Sequence, residues 1–105
     1  MGGAFAVLWA AVACSGGDDA GEDLAARGKA VYQNYCIACH NANPAKDGGV
    51  GPAIAGSSQQ LLEYRVLNAD YPPGYTPKRP SAAMPSFPYL KDEIPALAAY
   101  LADPS

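Results

Sequence analysis

Histidine occurs once in this chain, tryptophan once and phenylalanine twice. A lone His40 excludes any site built from two imidazoles. From Leu24 to Pro104 there are only three Val, three Ile and one Thr, and no run of four to eight residues alternates. That scarcity argues against a β-sandwich or barrel. Large apolar side chains are few as well: the same stretch adds seven Leu, one Phe and one Met, with seven Tyr, while 21 alanines inflate the 50% hydrophobic fraction. A small domain with so few large apolar side chains usually needs a staple, a metal or a cofactor. A non-protein group is therefore expected to complete the core. Lys and Arg are missing from the first 23 residues, which hold Asp18, Asp19, Glu22 and Asp23. From Leu24 onward seven bases face six acids, with no basic stripe, so nucleic-acid binding is not expected. The acidic stretch reads as a solvated spacer.

What is present begins with Ala4–Ala13, ten uncharged and mostly apolar residues. As a helix they reach about 15 Å, half of what a membrane span requires. The length suits the apolar region of a secretory signal. Ala11-Val12-Ala13-Cys14 then runs small residues into a cysteine, which resembles the bacterial lipoprotein signal, in which the cysteine is lipidated. Two features depart from that pattern: Ala11 stands where Leu is commoner, and no Lys or Arg precedes the apolar run. The expected organisation is a signal peptide over 1–13, a lipid-anchored, flexible acidic tether over 14–22 and a folded domain over 23–105. Export places the domain on the periplasmic side of a membrane, with the choice of inner or outer membrane left open.

Cys36-Ile37-Ala38-Cys39-His40 carries the chemistry. C-x-x-C-H is the attachment pattern of c-type haem: each thiol adds to a vinyl group and the histidine supplies an axial nitrogen. Cysteines three apart lie on one side of a helical turn, and the next residue projects toward the metal they flank. Zinc would need two further ligands, yet only Cys14 remains and there is no second His. A redox dithiol would need a βαβ context, and a Cys36–Cys39 disulfide leaves His40 unexplained.

From Asp23 to Leu101 the chain resembles a small class I cytochrome c, with five matches in order: Gly28-x-x-x-Tyr32, the haem motif, Gly51-Pro52-Ala53-Ile54-Ala55-Gly56, Met84-Pro85 and Leu97-x-x-Tyr100-Leu101. The resemblance implies an all-α fold, three to four helices around one covalent haem c. The residues predict a first helix capped by Asp23 with Leu24, Gly28, Val31, Tyr32, Tyr35 and Cys39 on one stripe. A middle helix starts at Ser57 with Gln60 in a capping box and runs to about Asn68. A last helix is capped by Asp92, with Ile94, Leu97, Ala98 and Leu101 inward and Pro95 where its missing N–H has no intrahelical role. Gly28 costs about 1 kcal/mol in a helix relative to Ala, which points to a close backbone, in the family that of the last helix near Tyr100.

The resemblance also implies a ligand set. Pro52, twelve residues after His40, offers its carbonyl to the second ring nitrogen. Met84 is the sole thioether outside Met1 and sits where the family has its axial Met; the plainer role is a core gap-filler, and Lys78 is the alternative ligand. Six prolines between Tyr71 and Pro88 preclude continuous helix there. Tyr75, Lys78 and Arg79 are candidates for the haem propionates or for solvent. The expected function is electron transfer, not catalysis: a monomer exchanging electrons with an oxidase, reductase or dehydrogenase, held to a membrane through Cys14. The alternatives are a haem enzyme or gas sensor with a displaceable distal ligand, and a fixed haem subunit of a redox complex.

Overall fold

The computed structural model describes residues 16–79 and 83–104; the apolar run Ala4–Ala13, Cys14 and residues 80–82 lie outside the described residues. Among the described residues, three α-helices, one π-helical segment and one 3₁₀ segment account for the regular structure, and no strand occurs. The fold is all-α, as expected.

Helix α1 spans Gly16–Tyr35. It begins seven residues before the Asp23 cap expected from the sequence, and so takes in most of the stretch read as a flexible tether. Nothing from 16 to 35 interrupts it: the stretch has no proline, and its one β-branched residue is Val31. Val31 and Tyr32 are buried, but Leu24 and Tyr35, both expected on the inner stripe, stay 40% exposed. The reason is the narrowness of the partner, which is one short helix.

That partner is α3, Ile94–Ala102. Gly28 lies against it so closely that a Cβ would collide with the Ala96 carbonyl oxygen and stand 2.9 Å from Tyr100 Cβ. The glycine is where two backbones touch, which offsets its poor helix propensity. Tyr32 and Tyr100 pack ring to ring at 5.7 Å beside this crossing. The cap of α3 is Glu93 rather than Asp92, because a 3₁₀ segment, Pro88–Glu93, winds directly into the helix and no extended cap residue is needed. Pro95 still falls in the first turn, among N–H positions that have no intrahelical partner. The Glu93 carboxylate instead accepts two bonds from the Arg27 guanidinium, both 2.6 Å, tying α1 to the start of α3.

Helix α2 is short, Gln59–Leu62, and continues as a π-helical segment, Glu63–Leu67. Its cap is Ser58, whose Oγ accepts from Leu61 N–H at 3.1 Å. Ser57, the expected cap, spends its hydroxyl on the Ile54 carbonyl at 2.6 Å, closing the preceding turn. Leu62 in α2 and Val66 in the π-helical segment are both buried, and the chain turns at Ala69, held left-handed with φ of 53°.

Tyr32, Ile94, Leu97 and Leu101 are the most deeply buried side chains, joined by Leu62, Val66, Leu90 and Tyr100. Cys36, Ile54, Met84 and Phe87 pack partly buried against them. Among the described residues, no helix is long and apolar enough to cross a membrane.

Candidate functional site

The helical hydrogen bonding of α1 does not stop at Tyr35. Cys36 N–H donates to Tyr32 O at 2.9 Å, and His40 N–H to Cys36 O at 2.9 Å. The added turns bring Cys36, Cys39 and His40 to one wall of a cleft. Tyr32 pins the end of this segment, its hydroxyl donating to the Asn41 carbonyl at 2.5 Å. Burial pushes the Tyr32 phenol up to about 12, so it remains a donor at any physiological pH. Burial likewise raises the Cys36 thiol to about 11. Cys36 and Cys39 are not bonded to each other.

Residues 41–55 form a loop closed by its own polar groups. Asn41 Oδ1 accepts from Asn43 N–H at 2.8 Å and Asn43 Oδ1 from Ala45 N–H at 3.0 Å, two successive Asx turns. Asp47 Oδ1 accepts from Ala53 N–H at 2.8 Å, and the Pro44 carbonyl from Ile54 and Ala55. Gly51 N–H donates to the Cys39 carbonyl at 2.9 Å. The loop then delivers its function: His40 Nδ1 lies 2.8 Å from the Pro52 carbonyl. A carbonyl only accepts, so Nδ1 carries the proton, and in the neutral imidazole Nε2 then keeps its lone pair. Gly51 lies flat on the imidazole; a Cβ there would stand 2.5 Å from Nδ1 and 2.8 Å from Nε2. At Gly48 a Cβ would come within 2.5 Å of the Cys39 carbonyl.

Residues 71–75, 78, 79, 83 and 84 also line the cleft, in a part of the chain where prolines remove backbone donors. Pro72-Pro73-Gly74-Tyr75 makes a turn closed by Tyr75 N–H to Pro72 O at 3.1 Å, with Gly74 at φ of 81°. Tyr71 and Tyr75 stack at 5.4 Å, and the Arg65 guanidinium covers Tyr71 at 4.0 Å. Lys78 Nζ donates to the Ala53 carbonyl at 2.7 Å. Arg79 donates to the carbonyls of Val50 at 2.9 Å and Gly48 at 3.2 Å. Met84 lies partly buried on the cleft, and Phe87 N–H donates to the Val66 carbonyl at 2.6 Å.

Every candidate among the described residues thus meets at one cleft of about 570 Å³: Cys36, Cys39, His40, Pro52, Tyr75, Arg79 and Met84 all line it. Leu62, Val66, Leu97 and Leu101 form its floor, so the missing part of the core and the site are the same space. The residues fit a flat apolar metallocycle. The thiols stand on one turn, a histidine nitrogen is held free by its second hydrogen bond, and Gly51 has no side chain to block the ring. Among the described residues no group of three or more His, Cys, Asp and Glu could hold a metal ion by itself.

Sequence reading missed Gly48, the Tyr32–Asn41 bond, and Arg65 with Tyr71. The Asn41-x-Asn43 spacing was the available signal for a closed loop; the Arg65–Tyr71 pairing has none, since the π winding creates it.

Fold and cleft together define a small all-α protein that carries haem on two cysteines. A model of the Cytochrome c family matches residues 25–104. The chain belongs to that family, binds haem c covalently, Cys36 and Cys39 being the cysteines of its C-x-x-C-H motif, and serves haem-based electron transfer. No curated protein matches it.

Proposed function

We propose that the protein is an electron carrier with His40 and Met84 as axial ligands, not an enzyme. The observation that carries the reading is the 2.8 Å bond from His40 Nδ1 to Pro52, which leaves Nε2 available on a cleft that Met84 also lines. Haem in this cleft supplies a one-electron iron couple. The chain's own residues do the rest. Pro52 fixes the imidazole tautomer and raises its basicity. Met84, the only thioether among the described residues, favours the reduced state more than a second imidazole would. Lys78, the alternative ligand, has its amine committed to the Ala53 carbonyl. Ile37 and Ala38, inside the motif, are exposed, small apolar surface suited to a transient redox complex with an oxidase, reductase or dehydrogenase.

The test is Met84→Ala in the haem-loaded protein. The unmutated ferric form is expected to be low-spin with a sulfur-to-iron charge-transfer band, and its ferrous form to bind carbon monoxide slowly. The variant should lose the band, drop in potential and bind carbon monoxide rapidly while the haem stays attached. Fast binding by the unmutated protein would instead indicate a gas sensor or enzyme.

We also propose that residues 1–13 direct export, that Cys14 is lipidated, and that the acidic residues up to Glu22 space the domain from the periplasmic face of a membrane. Membrane association should vanish in Cys14→Ala with the haem spectrum retained. A Cys14→Ala variant that still sediments with membranes would refute the anchor.

A further inference from the structure

The parts of the chain that line the cleft are not independent. Lys78 and Arg79 lie five or six residues before Met84; Lys78 is exposed and Arg79 half-buried, yet both side chains end on main-chain carbonyls. Their donors cross to the loop that orients His40: Lys78 to the carbonyl of Ala53, Arg79 to those of Val50 and Gly48. Ala53 is the residue after Pro52, and Val50 the one before Gly51. Asp47, on the same loop, sits 3.9 Å from Arg79 Nη2 and also holds Ala53 N–H. The acceptors are main-chain carbonyls, so the bridge is indifferent to side-chain identity on the far side.

The wall bearing Met84 is held at three places. Upstream, Tyr71 and Tyr75 stack under Arg65. Downstream, Phe87 N–H bonds to Val66. Lys78 and Arg79 supply the middle fastening. Prolines remove backbone donors from this wall, so side chains must do what a helix or strand would do elsewhere.

We infer that Lys78 and Arg79 are positioning residues that fasten the Met84 wall to the His40 loop, so that the two axial ligands are held by one bridge. The inference rests on the His40/Met84 reading. It differs from a role as propionate partners because the donors reach carbonyls of the chain itself. An arginine spans two of these carbonyls, which a lysine's single amine cannot do in the same geometry.

Haem-loaded Lys78→Met, Arg79→Lys and the double variant test it by two readouts. One is the rate of carbon monoxide binding to the ferrous protein. The other is the rate of chymotryptic cleavage after Tyr75, followed by mass spectrometry, which reports opening of the wall. Each single variant should raise both rates about fivefold and the double variant more than tenfold, as expected for loss of one or two net hydrogen bonds. Arg79→Lys is decisive because it keeps the charge. If it behaves as the unmutated protein in both readouts, the cations act only through charge and the bridge is wrong. If the unmutated protein lacks the charge-transfer band, the His40/Met84 reading fails, and the cleavage rates still decide whether the bridge exists.

Discussion

The loop on the His40 side and the loop on the Met84 side meet the same cleft by opposite means. From Asn41 to Ala55 the chain holds itself with Asx turns, an aspartate accepting a main-chain N–H and glycines that let backbone lie on the imidazole. From Tyr71 to Phe87 it has prolines, a stacked tyrosine pair and two long cations that reach across. The first bonds largely to itself, with three of its carbonyls accepting from the other loop; the second has few backbone donors and, in its described parts, is tied from outside. A strong ligand, imidazole, sits on the self-sufficient loop and a weak one, thioether, on the dependent loop.

The same change, glycine to alanine, breaks the two loops for different reasons. Gly51→Ala puts a methyl into the imidazole and should cost about 3 kcal/mol, with the His40 ring displaced and the haem spectrum altered. Gly74→Ala meets nothing within 4 Å and suffers only its positive φ. It should cost about 1 kcal/mol in thermal or denaturant unfolding and leave the spectrum unchanged. Equal losses would mean that the loops do not differ as described.

The smallest effect is a gain. Ala69, where the π-helical segment turns toward the Met84 wall, holds φ at 53°, a conformation that a Cβ disfavours. Ala69→Gly should stabilise the protein by about 0.5 kcal/mol, the relief of strain being partly offset by a freer unfolded chain. Differential scanning calorimetry of the holoprotein reads it directly, and a lowered midpoint would contradict it.

The cysteines and His40 were legible from their motif, and the His40–Pro52 bond and the place of Met84 on the cleft from the family resemblance. Gly28 was legible through its cost in a helix, and the lack of continuous helix between Tyr71 and Pro88 through its prolines. The caps were misplaced by one residue at Ser58 and Glu93, and α1 begins seven residues ahead of the Asp23 expected to cap it. Adjacent serines and adjacent acids offer equivalent caps, and a 3₁₀ segment feeding α3 removes the need for one. Arg65 and Tyr71 were invisible because their contact depends on the extra residue in the π-helical winding. The fates of Lys78 and Arg79 depend on carbonyls 25 to 31 residues away, and carbonyls leave no mark in a sequence.

The contact between Gly28 and Ala96 joins residues 68 positions apart in the chain. Closing so long a loop costs on the order of 4 kcal/mol in entropy. It also sets an order of events during synthesis: at 5–20 residues per second, a ribosome needs roughly 3 to 14 s after making Gly28 to supply what Gly28 packs upon. For that interval Val31 and Tyr32 have no α3 to cover them, and the domain acquires its native core only when nearly all of it has been made.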